Sequence, residues 1–458
     1  MTHLRVDLLV IGFGKGGKTL AAILGNQGRS VVLVEQSPAM YGGTCINVGC
    51  VPTKSMVYRS EQRRPGEDGV TAHAVAVTAT QALTADLRAV NHGMFDLIPS
   101  VRVLTGKAVF TGPDSVSVGT ADGAVTVSAA ATVIDTGSVP VVPDIPGLRE
   151  CPVAVTSAAM LSGVPRSDRL VVLGGGYIGL EFASMMAGFG TEVTVLEHHS
   201  QILRFEDDDV AASARDLLER RGVRIVTGAA IHEVSTVAGG ARVSYSVDGR
   251  TTAADGDTIL VALGRVPDTA GLGLDTAGIR TAANGAVAVD EFLRTSAPNV
   301  YAVGDVNGGP QFTYISLDDH RIVLDQLSGV ARPRSTAQRT AVPNCLFLTP
   351  PLARVGVTER EARQAGRAVR VAVSPVAKLA TVPRARIVGE TAGLMKLVVD
   401  AETDLILGAA LLCHDAHEII NLVSFAMRHR ITATAMREGM YTHPSMSEFF
   451  NQLLGMLR

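Results

Sequence analysis

The stretch Gly12-Phe13-Gly14-Lys15-Gly16-Gly17 sets a pattern that recurs at Gly174-Gly175-Gly176-Tyr177-Ile178-Gly179. An apolar run leads into each copy, Val6 to Val10 in the first and Leu170 to Leu173 in the second. A helical pattern follows, with Leu20, Ile23 and Leu24 on one face in the first copy and Phe182 and Met186 in the second. A further apolar strand closes each unit, Val31 to Val34 ending in Glu35 and Val193 to Leu196 ending in Glu197. Both copies place glycine at positions 1, 3 and 6, and both place the acid 23 residues after the first glycine. This predicts two dinucleotide-binding βαβ units. The first glycine makes the tight turn, the second lets backbone approach a pyrophosphate, and the third lets helix pack on strand. The helix N-terminus offers free N–H groups to phosphate, and the acid accepts from a ribose 2′-hydroxyl. One such motif is weak and is also met as a bare Gly-rich turn. Two with a shared acid offset point to two dinucleotides, one reducing the other, and FAD with a nicotinamide nucleotide is the natural pairing.

The bulk numbers agree with an enzyme of this kind. A chain of 458 residues is too long for one core and implies two to four domains. Hydrophobic residues at 47% and charged residues at 19% describe an ordinary globular composition. A net charge of −3 gives no electrostatic case for nucleic acid or an anionic membrane. The start Met1-Thr2-His3-Leu4-Arg5-Val6-Asp7 lacks a cationic leader with an apolar core, and no apolar run approaches a membrane span, so the expected location is cytoplasmic.

Five cysteines in such a chain argue against structural disulfides. Two of them, Cys45 and Cys50, lie in Gly42-Gly43-Thr44-Cys45-Ile46-Asn47-Val48-Gly49-Cys50, only ten residues beyond Glu35. Val51 to Tyr58 reads as a helix continuing from the pair. A helix start stabilises thiolates through its dipole and free amides. A redox-active dithiol beside the first dinucleotide is the expectation. Two inert buried thiols and half of a zinc site are the alternatives, and zinc prefers shorter spacing and a second ligand pair.

Gly42 to Cys50, continued by Val51-Pro52-Thr53-Lys54, resembles the active-site motif of the class I pyridine nucleotide-disulfide oxidoreductases. Glutathione reductase, dihydrolipoamide dehydrogenase and mercuric reductase belong to that family. Thr136-Gly137-Ser138 and Val303-Gly304-Asp305 are similar to its flavin-contacting turns, and His443-Pro444-Ser445-Met446-Ser447-Glu448 to its C-terminal His-Pro…Glu motif. Within the family the chain resembles the bacterial reactive-chlorine-resistance flavoproteins, hypothiocyanous acid and Cu(II) reductases. That likeness rests on Gly12-Phe13-Gly14-Lys15 with Gly17-Lys18-Thr19, on Gln311 to Asp319, on Pro383-Arg384-Ala385-Arg386, on Leu412-Cys413 and on His417 to Asn421.

The resemblance implies a glutathione-reductase-like α/β fold, with two Rossmann-like dinucleotide-binding domains and a C-terminal α+β dimerisation domain. Residues 1–148 would begin the FAD domain, 149–265 form the NAD(P) domain, 266–338 return to the FAD and central region, and 341–458 form a homodimer whose active sites are shared. The implied FAD set is Gly12, Gly14, Gly17, Glu35, Gly43, Thr44, Lys54, Thr136, Gly137, Gly304 and Asp305. The implied NAD(P)H set is Gly174, Gly176, Gly179, Glu181, Glu197 and Gly264. Electrons would pass from nicotinamide through flavin to Cys50, the thiol nearer the ring. Cys45 would attack the outside acceptor, His443 of the partner subunit would act as acid and base, and Glu448 would orient that imidazole, with a helical turn joining the two. Lys54 and Glu181 would pair across domains near the flavin. Glu197 repels a 2′-phosphate and points to NADH, whereas His198, His199 and Arg204 form a cationic cluster that would also admit NADPH.

The expected acceptor is a small oxidant, hypothiocyanous acid foremost and Cu(II) next. The C-terminal run Asn451 to Arg458 has no thiol pair of the mercuric reductase kind, and Tyr441-Thr442 replaces the His-Ala usual before His-Pro in dihydrolipoamide dehydrogenases. Reduction of lipoyl groups or low-molecular-weight disulfides is the first rival, and a flavoprotein docking subunit of a larger complex is the second. Cys413 and His417 are copper candidates, with an ordinary interface-domain segment as the favoured reading because no third ligand is placed. Cys151 and Cys345 are expected to be inert.

Overall fold

The computed structural model describes residues 2–380 and 382–458. The first sheet is parallel through five strands, in the order Val101–Gly112, Val31–Glu35, Thr2–Ile11, Gly123–Ile134 and Val300–Ala302. Ser115–Thr120 joins the far ends of Val101–Gly112 and Gly123–Ile134 into an antiparallel meander. The run Val31–Glu35 is buried at every position, as a central strand covered on both faces must be. Helix α1 (Lys15–Asn26) packs Leu20 and Leu24 inward one turn apart, and each contributes about 2 kcal/mol of burial. Ile23, expected on the same face, is only half-buried.

The plan is then repeated. A second parallel sheet orders Val223–Val226, Glu192–Leu196, Arg169–Leu173, Thr258–Val261 and Ala154–Thr156. Its own antiparallel meander spans Ala230 to Gly256. The chain crosses between the two sheets twice, and the crossings pair with each other as Ser138–Pro140 against Arg265–Pro267. A third, antiparallel sheet runs Asn344–Leu346, Leu352–Gly356, Ile406–Leu412, Leu394–Asp400 and Val369–Pro375, and helix Ala416–Arg428 packs on it.

The redox-motif helix lies where these three sheets meet. One apolar cluster runs from Met56 and Val57 of α3 (Cys50–Glu61) through Leu180 and Phe182 to Leu346 and Leu412. That cluster ties α3 to the second and third sheets, and Tyr41, just before the cysteine loop, packs against the first sheet's cluster around Leu8, Val10 and Phe13. None of the helices among the described residues is long and apolar enough to cross a membrane.

Candidate active site

The two fingerprints have the same internal geometry. Glu35 accepts from Phe13 N–H and from Ser37 N–H, both at 3.2 Å. Glu197 accepts from Gly175 N–H at 2.7 Å and from His199 N–H at 2.8 Å. In each copy the carboxylate ties the residue after the first glycine to the residue two beyond itself. Burial pushes the Glu35 carboxyl up, and the N–H groups of Ser37 and Phe13 oppose that. Gly14 and Gly176 head their helices with no side-chain cap, so the first-turn amides are not satisfied from the N-cap.

The glycines differ in what demands them. At Gly176 an added Cβ would meet nothing within 4 Å, which is space into which a pyrophosphate fits. At Gly14 it would stand 2.6 Å from the Asp135 carboxylate. The second glycine of the first copy is thus required by the protein's own Asp135. That residue, missed in the sequence, is fully enclosed and accepts from Gly17 N–H at 2.7 Å. Burial pushes its carboxyl well up. Its only sequence signal is its place immediately before Thr136-Gly137.

The residues expected around FAD converge on the start of α1. A Cβ on Gly43 would lie 2.8 Å from Gly14 Cα, and one on Gly137 3.7 Å from Thr44 Oγ1. Gly12 sits at φ 104 against the Asp135 carbonyl, where a side chain has no room. Ser138 Oγ donates to Asp305 at 2.6 Å, Gly304 N–H to Asp319 at 2.6 Å, and Thr136 Oγ1 to the Asp268 carbonyl at 2.7 Å. Gly16 N–H and Gly17 N–H are taken by Ser316 Oγ at 2.9 Å and by Asp135, so it is the close glycine contacts, the buried Glu35 at the strand end and the Ser138–Asp305 pair that fit FAD. In the second copy Gly179 packs against Gly174 and Val172, while Gly264, at φ 116, borders open space.

Cys45 lies in the single-turn helix α2 (Thr44–Asn47), and Cys50 is the first residue of α3. Cys45 is half-buried, and Cys50 is exposed as a residue although its thiol is turned inward and largely desolvated. Their thiols are strongly unlike. Cys50 is lowered to about 6, chiefly because Cys45 hydrogen-bonds to it, with Thr313 and Lys54 adding to the effect against burial and Glu181. Thr313 Oγ1 lies 3.6 Å from Cys50 Sγ. Cys45 is pushed up by that same hydrogen bond and by burial. The α2 loop is held by Lys18, whose Nζ donates to the Gly42 carbonyl at 3.2 Å and also bonds Asn91. Arg88 donates to Asn47 at 2.8 Å, and Asn47 donates to the Gly43 carbonyl at 2.9 Å.

Lys54 and Glu181 meet across the domain boundary, with Nζ 2.8 Å from both carboxylate oxygens. Glu181 also accepts from Phe347 N–H at 2.9 Å, and Lys54 lies 4.8 Å from the Phe347 ring centroid. Both Glu181 oxygens bond Lys54, and Oε1 also accepts from Phe347 N–H, so the expected cross-domain pair with Lys54 is formed. Phe347 carried no sequence signal.

His443 Nδ1 and Glu448 Oε1 lie 2.8 Å apart, and Glu448 Oε2 accepts from Ser445 N–H at 2.8 Å. The expected helical turn between them is absent. The helix begins only at Phe449, because Pro444 lacks an N–H and disfavours helical backbone at His443. The ring stays 70% exposed on its loop, while Glu448 is lowered by the Ser445 and His443 contacts. Cys413 is fully buried, and burial pushes its thiol up. The His417 ring packs on Phe347, and among the described residues no three His, Cys, Asp or Glu side chains form a metal-holding group.

A family model for pyridine nucleotide-disulphide oxidoreductase matches residues 6–319, and the dimerisation-domain model of that family matches residues 342–454. The chain belongs to the pyridine nucleotide-disulphide oxidoreductases. The family is FAD- and NAD(P)H-dependent, and the second match marks a domain through which its members form homodimers. The chain is 42% identical over 455 residues to a probable pyridine nucleotide-disulfide oxidoreductase, RclA, of Escherichia coli, covering 99% of this chain and 100% of that one. The solved Cu(II) complex of that organism's HOCl-induced flavoprotein disulfide reductase RclA superposes with a TM-score of 0.92 at 41% identity, covering 98% and 99% of the two chains. A mercuric reductase of Staphylococcus aureus is 32% identical, over 96% of this chain and 80% of that one. This oxidoreductase is thus a disulfide reductase related to RclA in sequence and in fold.

Proposed function

We propose that the protein uses NADH to reduce hypothiocyanous acid through the Cys45–Cys50 pair. The carrying observation is the pair itself: Cys45 hydrogen-bonds Cys50, Thr313 Oγ1 lies 3.6 Å from Cys50 Sγ and the Lys54 charge stands beside it, so Cys50 is lowered while Cys45 is pushed up. One sulfur then rests as thiolate while the other stays a thiol until a base takes its proton.

Bound FAD and nicotinamide supply the two-electron transfer that opens the disulfide. The rest belongs to the chain. Lys54, oriented by Glu181, holds a positive charge beside Cys50. The partner subunit's imidazole at position 443, oriented by Glu448, takes the Cys45 proton. The Cys45 thiolate attacks the sulfur of hypothiocyanous acid, forming an S–S bond and releasing hydroxide, which the imidazolium protonates to water. The Cys50 thiolate then attacks Cys45 Sγ, closing the disulfide and expelling thiocyanate. The oxidant gains two electrons and the dithiol loses two.

The E. coli relative is HOCl-induced, which supports an oxidant acceptor, and its Cu(II) complex supports Cu(II) as the second reading. Glu197 supports NADH through its like charge to a 2′-phosphate. The family's dimerisation domain supports a homodimer with shared sites, and a redox-active pair in a chain of only five cysteines fits a reducing, cytoplasmic compartment. The test is anaerobic reduction by NADH with stopped-flow absorbance, then mixing with hypothiocyanous acid. A long-wavelength thiolate–flavin band that is lost in Cys50→Ser and rapidly discharged by the oxidant is expected. Slow discharge by hypothiocyanous acid with faster discharge by lipoamide refutes the substrate.

A further inference from the structure

The loop between Glu197 and helix Asp208–Arg220 is gripped from outside its own domain. It lies on the second fingerprint, with Leu203 N–H reaching the Gly175 carbonyl at 3.4 Å. It carries His199 and Arg204, which contact each other at 2.7 Å. Three cations of the interface domain hold it. Lys396 is only 4% exposed on strand Leu394–Asp400, with its Nζ 3.0 Å from Asp207, 3.0 Å from Asp209 and 2.8 Å from Glu359. Arg360 donates to the Arg204 carbonyl at 3.1 Å and the Glu206 carbonyl at 2.8 Å. Arg354 donates to the Phe205 carbonyl and to the Glu206 carboxylate, both at 3.3 Å.

The grip is reciprocal. Asp207 accepts from the N–H groups of Glu359 and Arg360, both at 3.0 Å, and so satisfies the first two amides of the interface-domain helix Glu359–Gln364, whose N-cap is Thr358. Burying an ammonium is costly unless it is paired, and removing Lys396 would leave Asp207, Asp209 and Glu359 facing one another. The loop would then lose its fixed position over Gly175.

We propose that Lys396, Arg354 and Arg360 are positioning residues for the nicotinamide nucleotide. They fix loop 198–207 so that Glu197, His199 and Arg204 meet the adenosine ribose in one arrangement. The interface domain thereby helps set the choice between NADH and NADPH. This rests on the reading that the second fingerprint binds that nucleotide.

The test is anaerobic stopped-flow flavin reduction of the holoenzyme across NADH and NADPH concentrations, which separates nucleotide Kd from the limiting rate. In Lys396→Met the NADH Kd rises about tenfold, as expected of a displaced binding group. The limiting rate stays within about twofold, the NADPH-to-NADH Kd ratio changes, and Lys396→Arg restores both. Arg360→Ala, which removes the two loop-carbonyl bonds and the Arg360–Asp208 ion pair, shows the same pattern if Lys396→Met does not fold. Unchanged Kd values with a lowered Tm would overturn the proposal by reducing the grip to structural support. Reduction of the wild type that does not saturate with either nucleotide would overturn the reading of the second fingerprint, and the proposal with it.

Discussion

Gly176 and Gly179 sit three residues apart in one motif, yet the structure predicts opposite consequences for Gly176→Ala and Gly179→Ala. Gly176 has φ −85 and ψ −175, extended backbone that alanine adopts freely, and its added methyl meets nothing within 4 Å. In the protein alone the change should stabilise by about 0.4–1 kcal/mol, because alanine loses less backbone freedom on folding. At Gly179 the methyl would stand 2.0 Å from the Gly174 carbonyl oxygen and 3.2 Å from Val172 Cγ1. The first distance is more than about 1 Å inside the usual non-bonded optimum. Strand and helix must part, at a cost of about 1–3 kcal/mol or more. At about 1 °C per kcal/mol for a chain of 458 residues, Gly179→Ala should lower Tm by about 1–3 °C, whereas Gly176→Ala should leave it level or slightly raised. Nucleotide binding should reverse part of that ranking. The Gly176 methyl enters space available to a pyrophosphate, so the NADH KM of Gly176→Ala should rise at least about tenfold, equivalent to about 1.4 kcal/mol. Calorimetry of both holoenzymes with steady-state kinetics measures this, and flavin content should match the wild type. A wild-type KM in Gly176→Ala, or a loss of Tm equal to that of Gly179→Ala, would refute the reasoning.

The long-wavelength band of the NADH-reduced enzyme should titrate with a midpoint near 6, where the Cys50 thiol is placed. Because that thiol is lowered from 9.0, the thiolate and its band persist above the midpoint and vanish as pH falls through it; Cys45→Ala should move the midpoint up towards 9.0. His443→Ala should slow reoxidation by the acceptor about 10²-fold or more while leaving reduction by NADH unchanged. Mixed dimers of His443→Ala with Cys45→Ala subunits should regain one working site per dimer, and their failure to do so would refute a site shared between subunits.

The parts of this protein legible in its sequence are the local ones. Glycine at positions 1, 3 and 6, an acid 23 residues on, and period-matched apolar runs define each βαβ unit, because turn, helix and strand there depend on backbone conformation and near neighbours. Cys45 and Cys50 on α2 and at the start of α3 belong to the same class. The His443–Glu448 pair was readable as residues but not as geometry, since a helical turn was expected where Pro444 imposes a loop.

What remained hidden is long-range and electrostatic. Lys54 and Glu181 are 127 residues apart, and only family resemblance linked them. Asp135 reads in the sequence as one more polar residue at a strand end. It becomes the support of Gly14 and Gly17 only when Gly123–Ile134 pairs with Thr2–Ile11. Lys396 reaches Asp209 across 187 residues, and nothing in either neighbourhood marks the pair. The sequence by itself determined the two dinucleotide units and the dithiol, because each is written in contiguous residues. The tertiary structure decided which charges are buried, what they face, and hence which thiol ionises and which loop is held, because burial and Coulomb attraction depend on distance in space rather than along the chain.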